Sequence, residues 1–332
     1  MKVEAYINGI FPRSNRALEF GSAFLKGRET KENFERLLEE ETTEVIKLQQ
    51  NLGLNYVTDG QLFWHDFMRP ISSSLGLHAK NSNANDNPVT RQIYTNTFYR
   101  KPLISNRIKN FDKEIIDAKF INKIIKGKRK VILPSPFAVA YLSDGIHKNE
   151  DGTIKNEVFA GILFDIAEIL NHEAKRLEKD FSVSFVQFSD PCMAYAKETE
   201  FFLENIFESF NIASIGLKAI TSLHLYNGDA SKFLPHLLEL PLDRIGFDAY
   251  TTNFSKFAGT NFNKFLEAGI VNSKNSLIEE PETIAKYAKS LIEKINPKGF
   301  AIVPNRPLEL VPREIAVKKI ESMAKAAELL NR

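Results

Sequence analysis

The sequence contains one cysteine, almost no net charge and no long apolar run. Cys192 has no second cysteine with which to form a disulfide, and a cysteine-rich metal cluster is excluded. The 44 Lys and Arg residues against 42 Asp and Glu residues give a formal net charge of +2, so no overall field favours nucleic acid or an anionic membrane. The apolar stretch 131–142 is too short to span a bilayer and contains prolines. We therefore predict a cytoplasmic protein that binds neither nucleic acid nor membrane.

Short apolar runs alternate with helix-like segments along the chain, and several runs are almost entirely apolar. This is typical of parallel strands that are covered by helices on both faces. The 332 residues, 43% of them hydrophobic, suffice to fill a large core. We predict a single (β/α)8 barrel that spans residues 1–332. Its eight candidate strands are 2–8, 55–59, 130–135, 184–189, 219–225, 244–249, 267–272 and 299–304.

Two helices carry clear terminal signals. Thr30 is a good N-cap for a helix with Phe34 and Val45 on one apolar side, and Gly53 can close that helix in a left-handed conformation. Pro312 can open the last helix of the chain. Both helices fit the strand-helix alternation of a barrel.

The segment 69–118 interrupts this alternation between the second and third candidate strands. Within it, residues 72–88 are dominated by serine, asparagine, glycine and aspartate and show no regular period. In a barrel, long excursions that follow strands lie at the carboxyl face, where catalytic residues collect. We predict an insertion that acts as a lid, and the alternative is a solvated surface insertion.

Polar side chains follow most of the candidate strands, and a closed barrel would gather them at one opening. Burying an unpaired polar group costs about 1 to 3 kcal/mol, so their number favours a polar small-molecule ligand over core packing. The alternative is that these residues have structural roles. The histidine would then form its hydrogen bonds within the core, the aspartate would bond neighbouring backbone, and the aromatic residues would anchor a loop. The candidate residues are Arg13, Arg16, Asp59, Gln61, Trp64, His65, Gln187, Ser189, Asp190, His224, Tyr226, Asp248 and Asn305, with His224, Asp190 and Asp248 as the catalytic candidates.

Four of the basic residues suit an acidic ligand. Guanidinium and ammonium groups bind carboxylates, so Arg13, Arg16, Arg100 and Lys101 are candidates for holding an acidic tail. The alternative is ordinary surface charge. A separate basic run at 123–130 is predicted to be a solvated charged turn, because no aromatic residue interleaves it.

Seven short motifs occur in order at 11–13, 56–68, 95–102, 133–136, 186–191, 268–272 and 301–304. Their order and spacing resemble the cobalamin-independent methionine synthases. The resemblance implies (β/α)8 barrels, a methyl group transferred from folate to homocysteine, and a binding role for Asn96 within the third motif. Family members contain two related barrels, and this chain, long enough for one, looks more like the amino-terminal barrel.

The resemblance also implies a zinc site, from which this chain departs. In the family's catalytic barrel, histidine, two cysteines and a glutamate bind zinc, which activates the homocysteine thiol. The matching positions here are His224, Tyr226, the Asn305 region and, in or close to the glutamate region, Asp248. Because tyrosine and asparagine are poor replacements for thiolates, we expect no family-type zinc site and no metal cofactor in this chain.

Three functions remain open at this point. The first is a methyltransferase component that binds homocysteine, methyltetrahydrofolate as co-substrate, or both, and works with a separate zinc-bearing barrel. The second is a metal-free barrel enzyme acting on another small acid, with His65 or His224 as general acid or base. The third is a non-catalytic scaffold or ligand-binding subunit derived from the family, because a fold does not fix a function.

Overall fold

The computed structural model describes residues 1–83, 85–91, 98–108, 114–118 and 125–332. The chain divides into two compact units. The first unit comprises Met1–Phe63, Lys119–Val131 and Gly246–Arg332. The second comprises Trp64–Ala118 and Ile132–Ile245.

Strands are found at or near seven of the predicted segments, and short additional strands lie in the 69–118 region and just after it. In chain order the strands are β1 Val3–Ala5, β2 Val89–Arg91, β3 Phe98–Arg100, β4 Leu103–Ile104, β5 Arg129–Pro134, β6 Asp144–Gly145, β7 Val183–Asp190, β8 Ile220–Leu225, β9 Arg244–Asp248, β10 Phe265–Val271 and β11 Gly299–Pro304.

The helices of the described residues fall between these strands. In chain order they are α1 Asn15–Leu25, α2 Lys31–Asn51, α3 Arg69–Leu75, α4 Pro136–Leu142, α5 Asn156–Phe181, α6 Glu198–Phe201, α7 Leu203–Ser214, α8 Leu234–Glu239, α9 Pro281–Ile295 and α10 Arg313–Asn331. None of the helices in the described ranges is both long and apolar enough to cross a membrane.

In the first unit, β11 lies between β1 and β10, and β9 follows β10. The pairs β1–β11 and β10–β11 are parallel, and Ile302 is the register partner of both Ala5 and Ala268. A register irregularity lies between Gly269 and Val271. A Cβ atom at Gly269 would come within 2.7 Å of the Asn305 Cα and the Phe247 carbonyl oxygen. Glycine is therefore required where β10 passes closest to its neighbours.

The predicted strand at 55–59 forms only a single parallel bridge, between Val57 and Arg129. Val57 exchanges backbone hydrogen bonds with Lys128 and Lys130, each at 3.0 Å. The next residue, Thr58, is taken out of the ladder because the Gln49 side chain binds both its N–H, at 3.1 Å, and its carbonyl, at 2.8 Å. An amide side chain of α2 thus replaces the neighbouring strand as the partner of this backbone.

The terminal signals of the two predicted helices are confirmed. Thr30 caps α2, its Oγ1 accepting a hydrogen bond from the Asn33 N–H at 3.2 Å. Gly53 follows the helix with φ at +66°, a value that L-residues rarely adopt. Pro312 is the N-cap of α10.

In the second unit, β7 lies between β5 and β8. β7 and β8 are parallel, with Gln187 opposite Ser222 and Asp190 opposite Leu225. α5 packs against α4 and α7, and its residues Phe159, Ile162 and Leu163 are completely buried. The apolar side of α5 therefore covers the core of the second unit.

The 69–118 segment contains more regular structure than its composition indicates. α3 extends into the segment 72–88 as far as Leu75 and ends at Gly76, whose φ is +65°. β2 and β3 then pair antiparallel, with Val89 opposite Arg100. Asn96 lies outside the described residues, and the lid remains a prediction.

The basic run before β5 is only partly the solvated turn that was predicted. Lys126 and Lys128 are exposed, but Lys130 is buried. Its ammonium group donates to the Ile7 carbonyl at 3.0 Å and lies 4.1 Å from the centre of the Tyr6 ring. The strand places Lys130 inward, where a carbonyl and an aromatic face replace water around the charge.

Candidate functional site

A buried carboxylate lies at the end of β9 in the first unit. Asp248 is 0% exposed. Its Oδ1 accepts hydrogen bonds from Asn305 Nδ2 at 3.1 Å and from the Tyr250 N–H at 2.9 Å. Its Oδ2 pairs with Arg306 Nη2 at 3.4 Å, and that arginine is only 1% exposed. The negative charge of Asp248 is thus compensated by a buried guanidinium.

Asn305, which follows β11, is fixed by a second set of hydrogen bonds. Its Oδ1 accepts from both the N–H and the Oγ–H of Ser273, each at 2.9 Å. Because this oxygen faces two donors, the Nδ2 group must face Asp248. Sequence reasoning missed Ser273, although its place just after β10 was a usable signal. We refer to Asp248, Ser273, Asn305 and Arg306 as the Asp248 cluster.

A second buried carboxylate lies at the end of β7 in the second unit. Asp190 is 0% exposed, and its Oδ1 accepts from the N–H groups of Cys192 and Met193, both at 2.7 Å. Its Oδ2 accepts from Ser135 Oγ. No arginine, lysine or histidine in the described ranges forms an ion pair with it. Burial raises the pKa of Asp190, and the hydrogen bonds from Ser135 and the two N–H groups oppose that shift.

Four further predicted residues come together on β7 and β8 beside Asp190. Ser189 is the register partner of His224, and Gln187 lies two residues before Ser189 on β7. The rings of His224 and Tyr226 are tilted, with their centres 6.1 Å apart. All four are at most 2% exposed, so the ends of β7 and β8 carry several buried polar side chains besides Asp190. We refer to Ser135, Gln187, Ser189, Asp190, His224 and Tyr226 as the Asp190 cluster.

Cys192 is buried next to this cluster. Burial raises the pKa of the Cys192 thiol, and the nearby Asp190 raises it further. Its sulfur accepts a hydrogen bond from Tyr195 at 3.6 Å. A thiol that is held protonated is a poor nucleophile and a poor metal ligand, so Cys192 has a packing role.

The predicted residues between 59 and 65 differ in their surroundings. Asp59 is half-buried and its Oδ1 accepts from the Gln61 N–H at 3.0 Å, and Gln61 is buried with φ at +55°. This is the turn geometry that Asp59-Gly60 predicted. In the second unit, Trp64 is 7% exposed, whereas His65 is exposed to solvent.

Three of the four basic candidates have protein partners. Arg13 Nε donates to the Leu62 carbonyl at 2.8 Å, and burial lowers the pKa of Arg13. Arg16 is exposed on α1. In the second unit, Arg100 Nη1 donates to the Asn87 carbonyl at 2.7 Å, and Lys101 pairs with Asp144 at 2.9 Å. Apart from Arg16, these cations are thus held in place by the protein itself.

The residues that match the family's zinc ligands do not suit zinc. Asp248 already accepts three hydrogen bonds, one of them from a guanidinium, which repels a metal cation. Asn305 turns its amide nitrogen, not its oxygen, toward that carboxylate. Tyr226 offers a phenol where the family has a thiolate. Within the described ranges, no group of three or more His, Cys, Asp or Glu residues is arranged to hold a metal ion.

Comparison with known proteins gives consistent matches along the chain. Residues 5–329 match the family described as cobalamin-independent synthase, catalytic domain. The methionine synthase of Sulfolobus acidocaldarius is 24% identical over 321 residues, which cover 96% of this chain and 89% of that protein. The methionine synthase of Thermococcus kodakarensis is 25% identical over 338 residues, covering 98% of this chain and 93% of that protein.

Two solved structures have the same fold. A B12-independent methionine synthase from Shewanella sp. W3-18-1, in complex with selenomethionine, matches with a TM-score of 0.74 and 18% identity, over 91% of this chain and 90% of that one. A putative vitamin-B12-independent methionine synthase from Listeria monocytogenes matches with a TM-score of 0.74 and 16% identity, over 99% and 98% of the two chains.

These structural matches confirm the predicted fold class, a (β/α)8 barrel. The family match is to the catalytic domain, whereas the sequence motifs looked more like the amino-terminal barrel. Because the match covers nearly the whole sequence, the chain belongs to the cobalamin-independent methionine synthase family.

Proposed function

We propose that this chain is a methyl-transfer component of its family. It binds homocysteine, a methyl donor such as methyltetrahydrofolate, or both, and a separate zinc-bearing barrel activates the thiol for methionine formation. The relatives of similar length that are named methionine synthase support the reaction class. The lone, buried Cys192 is in keeping with a cytoplasmic site of action.

The observation that carries this proposal is the pairing of Asp248. A methyl acceptor must react as a thiolate, because the thiol is a poor nucleophile. In this chain Asp248, in or close to the region that matches the family's glutamate ligand, is bonded to Asn305 and Arg306 instead. Thiol activation by zinc is therefore assigned to a second barrel, and substrate binding to this one.

The Asp190 cluster supplies groups for binding and proton transfer. A carboxyl group whose pKa is raised by burial can exchange protons closer to neutral pH than an ordinary aspartate. We assign proton handling to Asp190 and His224, and polar contacts with the substrate to Gln187, Ser189 and Tyr226. In the first unit, Asp248 and Asn305 would contribute polar groups. In the second unit, Trp64 would pack against the ligand.

The basic candidates are assigned to the acidic end of the ligand. In the first unit, Arg13 and Arg16 are assigned to a carboxylate of the ligand, and Asp59 and Gln61 to its polar atoms. In the second unit, Arg100 and Lys101 are assigned to a carboxylate, and His65 and Asn96 to polar atoms. Arg16 is the exposed cation of this set, so it can bind a carboxylate with the least rearrangement.

Reconstitution tests the proposal. The purified chain, a zinc-bearing methionine synthase barrel, homocysteine and a methyl-labelled folate are combined, and labelled methionine is measured. We expect methionine from the mixture and none from either chain alone. Asp190→Asn should lower the rate about 100-fold or more, the usual contribution of a general acid or base. Methionine production by this chain alone, or the binding of one zinc ion per chain, would overturn the assignment of zinc to a separate barrel.

Matched variants then test the residue assignments in the same assay. Arg16→Ala and Asp59→Ala should raise the KM for the folate donor, with Lys179→Ala, on the exposed last turn of α5, as a control. If both variants have unchanged kinetics, the assignment of binding roles to the candidates between residues 13 and 65 is wrong. The assignment of the Asp190 cluster would not be affected.

A second candidate function is favoured by Asp190 itself. A buried carboxyl group with a raised pKa and no cationic partner among the described residues is typical of a general acid or base in a metal-free enzyme. In that case another small acid is the substrate, and neither homocysteine nor methyltetrahydrofolate binds. Calorimetric titration with both compounds separates the two functions, and a chain that binds no small acid at all would be a scaffold.

A further inference from the structure

The start of α1 in the first unit is tied to α2 by one buried carboxylate. Glu41, on α2, is 4% exposed. Its Oε2 accepts from the Ser14 N–H at 3.2 Å, and its Oε1 accepts from Ser14 Oγ. The same hydroxyl oxygen accepts from the Ala17 N–H at 3.1 Å, which makes Ser14 the N-cap of α1. Glu41 therefore helps to fix the position at which α1 begins.

Arg313, the first residue of α10, compensates the charge of Glu41. Its Nη1 lies 3.1 Å from Glu41 Oε2 and also donates to the Pro12 carbonyl at 3.3 Å. Its Nη2 donates to Glu44 at 3.1 Å, and its guanidinium carbon lies 5.8 Å from the centre of the buried Phe11 ring. Because the Arg313 side chain is only 13% exposed, water screens its attraction to Glu41 weakly. One side chain thus holds both the loop before α1 and the carboxylate that bonds its N-cap.

Two of the basic candidates lie in this region. Arg13 is the residue before the N-cap, and Arg16 lies in the first turn of α1, exposed to solvent. We propose that Glu41 and Arg313 are positioning residues, which hold both cations where they bind a carboxylate of the ligand. This positioning role rests on the proposed function, because that function assigns the two cations to the ligand. Sequence reasoning missed Glu41 and Arg313, because no motif contains them.

A positioning role predicts weaker binding with unchanged chemistry. Charge-assisted hydrogen bonds depend on distance and angle, so a small shift of the chain around the N-cap would weaken the contact between guanidinium and ligand. Glutamine at position 41 keeps one acceptor oxygen where the carboxylate presents two, and both of these oxygens face donors. Glu41→Gln therefore releases one of the ties and removes the charge that Arg313 compensates.

Calorimetric titration of the full chain with methyltetrahydrofolate measures the binding, and the reconstituted assay measures kcat. Glu41→Gln and Arg313→Met should each raise the Kd about tenfold and leave kcat within about twofold of the wild type. Arg313→Lys, which keeps the charge, should recover part of the affinity. Glu35→Gln makes the same substitution on α2, at an exposed pair with Lys31, and should bind as the wild type does. Thermal unfolding shows whether each variant is folded.

A double-mutant cycle separates positioning from general damage. In the background Arg13→Ala/Arg16→Ala, Glu41→Gln should have no further effect on the Kd, because the cations that Glu41 places are gone. The same fold-increase in both backgrounds would overturn the positioning role. So would a Kd that is raised by Arg13→Ala/Arg16→Ala and unchanged by Glu41→Gln, although the proposed function would then stand. If the wild type does not bind the folate, both the proposed folate binding and the positioning role are wrong.

Discussion

The two buried aspartates, one in each unit, make the most instructive comparison in this protein. Asp248 and Asp190 are the last residues of parallel strands, and both are completely buried. Asp248 is paired with the guanidinium of Arg306, whereas the partners of the Asp190 carboxylate among the described residues are Ser135 and two backbone N–H groups. The same side chain in the same kind of place is therefore paired with a cation in one unit and with neutral donors in the other.

This difference separates structural from chemical roles. A buried ion pair resists change, because losing one partner leaves the other charge without compensation. A buried carboxyl group held by neutral donors can gain or lose a proton with a smaller change in its surroundings. We therefore expect stability effects to dominate at the Asp248 cluster, and effects of pH and turnover to dominate at the Asp190 cluster.

The largest effect is expected at the ion pair. Arg306→Met leaves Asp248 buried without its cation, and should lower the free energy of unfolding by about 3 to 5 kcal/mol. Urea denaturation measures this. The double variant Asp248→Asn/Arg306→Met should recover part of the loss, since no charge then remains unpaired. Arg332→Met, at an exposed pair with Glu328, is the control and should leave the free energy of unfolding nearly unchanged.

A smaller loss of stability is expected beside Asp190. Ser135 donates to that carboxylate, and its Oγ also accepts from the Ala138 N–H at 2.9 Å as the N-cap of α4. Ser135→Ala should cost about 1 to 3 kcal/mol. The matched variant is Thr30→Ala at the exposed cap of α2, which bonds no carboxylate among the described residues and should cost about 1 kcal/mol. Equal costs would mean that the bond to Asp190 adds nothing.

The pH dependence of stability should differ in sign between Asp190 and an exposed aspartate. Burial raises the pKa of Asp190 above its usual value of about 3.9, so the folded state favours the protonated form. Stability is then lost as the pH rises from about 4 toward the folded pKa. Asp190→Asn does not titrate, so its unfolding free energy relative to wild type should increase over this range.

The control for that experiment is Asp151, whose pKa is lowered by hydrogen bonds from Thr153. Its charged form favours the fold, so the stability it contributes is lost as the pH falls through the lowered pKa. Asp151→Asn should therefore show a difference from wild type of opposite sign and small size. Denaturation curves from pH 3 to 8 measure both. A pH-independent difference at Asp190 would contradict the comparison.

The smallest effect is expected from removing metals. A metal that binds the native state and not the unfolded state stabilises the fold, so a chelator would lower the Tm of a zinc protein. Because Arg306 and Asn305 occupy the oxygens of Asp248, we expect a chelator to change the Tm by less than about 1 °C. Thermal unfolding with and without chelator measures this, and a clear decrease would show that a metal stabilises the fold.

The sequence was most informative where structure depends on near neighbours. The continuous apolar run of β11 and the caps at Thr30 and Pro312 were predictable, because strand burial and helix capping leave a signal within a few residues. The strand at 55–59 was overestimated, since the Gln49 side chain that takes the backbone of Thr58 belongs to another element. Composition also indicated a solvated turn at Lys130, which the fold buries against Ile7 and Tyr6.

The sequence alone determined that Asp190 and Asp248 follow buried strands, and with this the fold class and the candidate residues. Only the tertiary structure decided that Arg306 compensates one aspartate while neutral donors hold the other. The side-chain partners of Asp248, Asn305 and Arg306, lie 57 and 58 residues away along the chain. Periodicity acts over single turns and strands, whereas the charge state of a buried group depends on whichever distant side chains the fold brings within hydrogen-bonding distance.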